Sequence, residues 1–229
     1  MIGTEKILCL TVDLEECTLP QEFGGQPLPE EESIRLSTQG AHRLLDIIRS
    51  ANVKATFFIT GFLASRCPEL VREITDLGNE VANHDLKHYP PNAGICADKL
   101  RSLQESETII KQATGERPLG FRAPFLNIGQ NVIEALKRLS YVYDSSVLPT
   151  YVPGRYNRLR MKPAPFLWGS EGSRQLIEIP ISVTPLLRVP VGWWWFRKNF
   201  GQRICEMGFE AIWKRNLPVV CHLHSWEPS

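Results

Sequence analysis

The feature that most constrains this chain is an alternation repeated along most of its length: short apolar, β-rich runs give way to helically spaced apolar residues, and back again. Helices that cross between strands place those strands parallel, in an α/β architecture. Ile7 to Val12 reads as the first strand. After a Pro/Gly/Glu-rich loop from Pro20 to Glu32, Leu36, Ala41, Leu44, Leu45 and Ile48 recur at helical spacing, and Val53 to Thr60 is a continuous buried strand. Pro68 opens a short helix whose apolar face is Leu70, Val71, Ile74 and Leu77, with Gly78 just past its end and Glu80 to Asn83 as the next strand. The pattern continues with a helix from Asp98 to Thr114, a strand at Leu119 to Arg122, a helix from Gln130 to Leu139 and a short strand at Tyr141 to Tyr143. Residues 146–198 lose the alternation, are proline-rich and hold one clear strand at Leu176 to Ile179, which marks an elaborated loop region rather than a second domain. A helix through Ile204, Met207 and Ala211 precedes a final strand, Pro218 to Leu223. A single barrel-like α/β domain over residues 1–229 is the expected fold.

Composition narrows the partners. With 26 Lys+Arg against 25 Asp+Glu the net charge is +1, which offers no broad field for nucleic acid or an anionic membrane. No apolar stretch approaches the ~20 residues that span a bilayer. The first residues lack the basic, apolar and small-residue succession of a secretory leader, so the expectation is a cytoplasmic protein. Cys9, Cys17, Cys67, Cys96, Cys205 and Cys221 form no C-x-x-C pair and read as reduced, mostly structural thiols.

In α/β folds of this kind, reactive groups gather at the carboxyl ends of the strands. Here those ends carry Asp13-Leu14-Glu15-Glu16, His84-Asp85-Leu86-Lys87-His88, Arg122-Ala123-Pro124-Phe125, Asp144-Ser145-Ser146 and His222-Leu223-His224. Four of the five histidines lie there, and His42 alone sits on a helix. His84 and His88 stand four apart, a spacing that serves metal pairs and also occurs in surface loops. Two histidines and one carboxylate with an open position make the catalytic zinc pattern. Three acids as close as Asp13, Glu15 and Glu16 repel one another unless cations compensate. A metal on Glu15 and a guanidinium, Arg122, on Asp13 satisfy that requirement, and so does a solvated acidic loop.

These residues resemble the polysaccharide deacetylases with the NodB homology domain, carbohydrate esterase family 4. The resemblance is clearest in Lys54-Ala55-Thr56-Phe57-Phe58-Ile59-Thr60-Gly61, Cys67-Pro68-Glu69-Leu70-Val71 and Gly78-Asn79-Glu80-Val81-Ala82-Asn83-His84. It implies a distorted (β/α) barrel and a hydrolase acting on carbohydrate through a divalent metal, zinc first, with cobalt or nickel as alternatives. The family's opening motif, Thr-Phe-Asp-Asp-Gly, stands here as Thr11-Val12-Asp13-Leu14-Glu15-Glu16. Asp13 inherits the base, while the metal carboxylate falls to Glu15 with Glu16 as rival. His84 and His88 inherit the metal pair, with Asp85 in place of a hydroxyl residue. Arg122 is implied to orient Asp13, the Phe125 N–H to donate to the oxyanion, and Asp144 to tether the catalytic acid, His224. His222 takes the position where a leucine lines the acetyl-methyl pocket. Asp144-Ser145-Ser146-Val147, Ile177-Glu178-Ile179-Pro180, Val189-Pro190-Val191-Gly192 and His224-Ser225-Trp226-Glu227 resemble the branch that accompanies exopolysaccharide synthesis.

The implied reaction removes an N-acetyl group from an amino sugar, free in a polysaccharide or oligosaccharide or carried on a lipid-linked or activated precursor. Trp193-Trp194-Trp195-Phe196, followed by Arg197 and Lys198, is a run that caps a core, stacks on sugar rings (Trp194 above all) or meets a membrane surface peripherally. Two other readings stay open: a hydrolase of small cyclic amides or formamides, favoured by His222, and a catalytically silent carbohydrate-binding domain, favoured by the irregular first motif.

Overall fold

The computed structural model describes residues 5–17, 20, 25–88, 99–169 and 174–227. In chain order the main elements are β1 (Leu8–Leu14), α1 (Glu30–Ser50), β2 (Ala55–Ile59), α2 (Gly61–Arg66), α3 (Pro68–Asp76), β3 (Glu80–Asn83), α4 (Lys99–Thr114), β4 (Gly120–Phe121), α5 (Gln130–Arg138) and β5 (Tyr143–Asp144). Then come β6 (Tyr151–Val152), β7 (Tyr156–Asn157), β8 (Phe166–Trp168), β9 (Leu176–Glu178), α6 (Trp194–Phe200), α7 (Gln202–Trp213) and β10 (Val219–His224). The sheet order is β10-β1-β2-β3-β4-β5-β9-β8, parallel throughout except for the antiparallel β8–β9 pair.

Helices cover the outer face because their apolar stripes face it. Ala41, Leu44, Leu45 and Ile48 of α1 and Leu70, Val71 and Ile74 of α3 pack with Val12, Leu14, Phe57 and Ile59 of the strands into one core cluster. Val132, Ile133 and Leu136 of α5 pack with Leu103, Phe121 and Leu176 into a second. Apolar burial on this scale, at about 25 cal/mol per Å² removed from water, is what offsets the entropy of ordering the strands. At Gly40 a Cβ would stand 1.8 Å from the Ser225 carbonyl oxygen, so only glycine lets α1 lie against the turn that follows β10. That turn is fixed by Ser225 N–H donating to Asp13 C=O.

The strands do not close into a regular barrel. Residues 179–182 bridge the gap instead: Ile179 N–H donates to Asp144 C=O, Ile181 N–H to Val147 C=O, and Ser182 N–H to Val220 C=O on β10. Gly192 and His222 continue the closure, with His222 N–H donating to Gly192 C=O. Pro180 cannot donate to a ladder, which is why this staves the barrel with irregular backbone rather than a strand. The distorted barrel expected from the sequence is therefore the fold found.

Element ends shift by a residue or two. The loop expected to reach Glu32 ends earlier, because α1 begins at Glu30 with three glutamates in its first turn, where the helix dipole favours them. Gly78 adopts φ +74°, the left-handed end expected of it. Residues 146–198 hold more order than the single predicted strand: β6, β7, β8 and the first turn of α6 lie in it. Cys9, Cys17, Cys67, Cys205 and Cys221 are free thiols, while Cys96 and Asp98 lie outside the described residues. No helix among the described residues is long and apolar enough to cross a membrane.

Candidate active site

Parallel pairing puts Asp13 beside His224 of β10 on one side and Phe58 of β2 on the other, at the carboxyl end of β1. The chain leaves the strand immediately afterwards, and Glu15 and Glu16 diverge. Glu15 Oε2 lies 2.8 Å from both His84 Nε2 and His88 Nε2. Glu16 instead turns to the Thr60 hydroxyl, which donates to its Oε2 at 3.0 Å. Of the two rivals, Glu15 is the one placed with the histidines.

The His84–His88 segment is held by Asp85. Its carboxylate accepts from Leu86 N–H at 2.8 Å, from the Ser102 hydroxyl at 2.6 Å and from Lys99. Its carbonyl accepts from Gly61 N–H and the Ser106 hydroxyl. An acid in the hydroxyl position therefore ties the histidine turn to α4, and its positive φ of 68° is one that aspartate tolerates better than most residues.

His84 Nδ1–H donates to the Arg122 carbonyl at 2.7 Å, which leaves the Nε2 lone pair facing Glu15. Among the described residues, Glu15 Oε1 and His88 Nδ1 are buried without hydrogen-bond partners. Two imidazole nitrogens converging on one buried carboxylate need a positive centre among them. The set of one carboxylate and two imidazoles, with Glu15 held down to about 2 against the opposing effect of burial by His88 and His84, fits a divalent metal of the zinc type.

Asp13 is the neighbouring group. Arg122 donates from Nη1 to Asp13 Oδ1 at 2.7 Å, and His222 Nε2 meets Asp13 Oδ2 at 2.9 Å. Burial opposes ionisation of Asp13, but the guanidinium and the neighbouring His222 and His84 outweigh it and hold the carboxyl well below its usual range. Arg122 is itself wholly buried, and its other donors go to the Thr11 hydroxyl, the Ser145 carbonyl and the Ser145 hydroxyl. The expected Arg122–Asp13 contact is present. His222 lines the cavity as expected, yet its Nε2 is committed to Asp13 rather than left to an acetyl methyl. Burial lowers its pKa and keeps the ring neutral, so Nε2–H is the donor.

One expectation is corrected. Asp144 does not tether His224. Its carboxylate accepts from the Ser146 hydroxyl at 2.5 Å and pairs across the β5–β9 register with Glu178. The carboxylate that meets His224 is Glu227, whose Oε1 accepts from the His224 N–H at 2.6 Å and lies 3.3 Å from Nδ1. Burial lowers the His224 pKa, but Glu227, Glu15 and Asp13 reverse this and raise it above its ordinary value. The i, i+3 spacing of His224 and Glu227 in the turn after β10 was the available signal. Trp226 stacks on His224 at 4.4 Å and Trp194 meets it edge-on at 5.5 Å.

Phe125 sits in a short 3-10 turn, Pro124–Leu126, with φ 55°, and Leu126 follows with φ 56°. Two successive non-glycine residues in the left-handed region cost on the order of 1 kcal/mol or more each. The turn directs the Phe125 ring against His88, 4.1 Å between centroids, and its N–H finds no acceptor among the described residues. An oxyanion donor is required to have such a free N–H.

The cluster opens into a cavity of about 540 Å³ walled by Phe125, Tyr151, Trp193, Trp194, Trp195 and Phe200, with Asp13, His88, His222 and His224 at its base. Trp194 is buried in this wall as well as lining it. Tyr151 and Phe200 were not singled out from the sequence, because no motif marks them.

The family model described as polysaccharide deacetylase matches residues 29–143, half of the chain. The chain belongs to the polysaccharide deacetylase family. It is 26 % identical over 175 residues to a peptidoglycan deacetylase of Helicobacter pylori, a match covering 75 % of this chain and 60 % of that protein. The chain spans 32 to 60 % of the length of the first curated relatives it matches. Among solved structures, Puue allantoinase superposes with a TM-score of 0.72 at 17 % identity, covering 99 % of this chain and 80 % of that one. A putative polysaccharide deacetylase from Mycobacterium smegmatis superposes with a TM-score of 0.69 at 20 % identity, over 98 % and 78 %. At these identities the two structures speak for the fold alone, and the fold is shared by proteins named for different substrates.

Proposed function

We propose that this chain hydrolyses the N-acetyl group of an amino sugar, using a divalent metal held by Glu15, His84 and His88, zinc before cobalt or nickel. The observation that carries the reading is one juxtaposition. Asp13 Oδ2 stands 3.8 Å from His84 Nε2, and His224 Nε2 stands 3.9 Å from Glu15 Oε1, so an anionic carboxylate and a basic imidazole both border the same three ligands. Family membership and the resemblance to a peptidoglycan deacetylase support the same reading.

When bound, the metal supplies Lewis-acid polarisation of the amide carbonyl and acidifies a water. Asp13, kept ionised and oriented by Arg122 and His222, takes a proton from the attacking water as the new C–O bond forms. The Phe125 N–H donates to the oxygen on which negative charge develops. His224, kept basic by Glu227, is protonated before the reaction and gives that proton to the nitrogen as the C–N bond breaks. The products are acetate and a free amine. The cavity's size suits one or a few sugar rings, and its Trp and Tyr faces suit stacking on them.

Asp13→Asn keeps the shape of the site and removes the base. We expect metal content to stay and acetate release from N-acetylglucosamine oligomers to fall by about 10² to 10⁴-fold. Retained turnover would remove Asp13 from this role. His222 favours a second reading, since an imidazole in the cavity wall suits a substrate with polar ring atoms. Allantoin-type amides belong in the same assay, and turnover of these with none of the acetylated sugar would select that reading.

A further inference from the structure

The most exposed large apolar residues are Leu186 and Leu187, at 81 and 83 %, and Met207 on α7, at 74 %. The leucines are not on a loose loop. Arg188 N–H donates to Thr184 C=O, Thr184 N–H to Val189 C=O, and Val189 N–H to the Thr184 hydroxyl. The Thr150 hydroxyl donates to Arg188 C=O and the Arg188 guanidinium to Met161 C=O. Five hydrogen bonds thus brace a turn whose tip is two leucines facing water.

Behind the tip runs an apolar groove lined by Leu186, Leu187, Val191, Ile204, Met207 and Ala211. Gly208 permits its depth, because a Cβ there would stand 2.6 Å from Val191 Cγ1. On α7 the residues 204, 207, 208 and 211 repeat at helical spacing along one stripe, and Arg215, in the turn after the helix, lines the same groove. At 100° per residue, Arg203 borders one side of this stripe, and Lys214 is the residue that closes the helix. Glu210 lies beside Arg203 on this wheel and Glu206 lies opposite the stripe, and Lys6 and Gln202 bond them at 2.6 Å each. Of the six Lys/Arg in residues 184–216, Arg188 is turned to the Met161 carbonyl and Arg197 to the buried Cys221 thiol, which leaves Lys198, Arg203, Lys214 and Arg215 against Glu206 and Glu210, in a chain whose net charge is +1.

This surface adjoins the active-site cavity. Pro190 lines the cavity while Val189 and Val191 line the groove, so one short segment is the wall of both. Exposed Trp195 and Phe200 stand at the cavity rim on α6, followed by exposed Lys198 and Arg203.

We propose that the Leu186–Leu187 tip, the Ile204–Met207–Ala211 stripe and the Trp195–Phe200 rim form a docking face for an anionic lipid bilayer. A braced apolar protrusion with Lys198, Arg203, Lys214 and Arg215 nearby and tryptophan at its border has the chemistry of an interfacial anchor: leucines enter the acyl boundary and Lys/Arg meet acidic headgroups. Docked this way, the cavity mouth opens beside the headgroups. Resting on the deacetylation proposed above, the acetylated sugar is then one carried on a lipid.

Sedimentation with phosphatidylcholine vesicles, with and without phosphatidylglycerol, tests the docking face without reference to activity. We expect binding to the phosphatidylglycerol vesicles, weakened by salt. Leu186→Ser/Leu187→Ser should lower the association constant at least about tenfold, with the melting temperature and acetate release from a soluble oligosaccharide unchanged. Met207→Ser gives an independent, smaller loss should the double variant fold poorly. Three results would overturn the proposal: absence of sedimentation with acidic vesicles, equal binding by both leucine and methionine variants, or a concentration-dependent dimer of the parent that the leucine variant abolishes. The last would assign the face to a second copy of the chain.

Discussion

Two pairs of buried acids stand at strand ends of one sheet and ionise in opposite senses. Asp13 and Glu15 are fully buried, yet both are held below the ordinary carboxylate range. Asp144 and Glu178 are as deeply buried, and both are raised, Glu178 far above its usual value by burial and by the neighbouring Asp144 carboxylate. The difference lies in the partners. Asp13 faces the Arg122 guanidinium at 2.7 Å and Glu15 faces two imidazoles at 2.8 Å. Glu178 faces the Asp144 carboxyl and, among the described residues, takes neutral donors, Val147 N–H at 2.9 Å and Trp168 Nε1–H at 3.0 Å. Burial alone therefore makes a carboxylic acid, and burial beside a cation makes a carboxylate ready to accept a proton. The first pair has the electrostatics of chemistry, and the second has those of a structural clasp between β5 and β9.

Removing the cation should break the contrast most severely. Arg122→Met leaves Asp13 buried without its guanidinium and strips the donors from the Thr11 and Ser145 oxygens, so we expect a loss of about 3–5 kcal/mol in denaturant unfolding and no measurable turnover. Retained stability would mean that Asp13 is neutral in the folded chain. A smaller effect should follow at the acid. Glu227→Gln removes the group that raises His224, so kcat should fall roughly ten- to a hundredfold and the alkaline limb of its pH profile should move to lower pH. An unmoved limb would take His224 out of the acid's role.

The smallest effect concerns the clasp. Asp144→Asn mimics a protonated Asp144, and since Asp144 does not touch His224, kcat should stay within about threefold of the parent. Stability should separate the two by pH. Folded-state values above the unfolded ones, whose ordinary levels are 3.8 and 4.5, mean that the pair's contribution is complete at low pH and is lost as pH rises through the folded values. Asn removes one titrating acid, so the variant should gain on the parent by on the order of 1 kcal/mol between pH 5 and pH 8, measured by urea unfolding. A variant that loses ground over that interval would show that Asp144 is ionised and usefully paired.

The same contrast explains what could be read from the sequence. Strand ends were legible because parallel α/β topology leaves long apolar runs that stop at polar residues, which located Asp13, His84, His88, Arg122 and His224. Local direction was not. Glu15 and Glu16 are consecutive, and only the path of the chain after β1 decides which meets the histidines and which meets Thr60. Partners distant in sequence were equally hidden: nothing in the order of residues pairs Asp144 with Glu178, which became neighbours only through the β5–β9 register. The resemblance assigns the tether of His224 to Asp144, although Glu227 stands three residues away. Closure by residues 179–182 escaped notice because Pro180 interrupts any alternation there. The seven-residue helix Trp194–Phe200 escaped as well, since its aromatic residues carry no helical preference and only packing fixes them.

The role of Glu15 is the point on which the site rests, and metal stoichiometry measures it directly. Zinc titrated into purified parent, Glu15→Gln and Glu16→Gln, with circular dichroism to confirm the fold, should give about one bound equivalent for the parent and for Glu16→Gln, and an affinity reduced at least about a hundredfold for Glu15→Gln. Undiminished binding by folded Glu15→Gln, or loss confined to Glu16→Gln, would contradict the metal centre proposed at Glu15, His84 and His88.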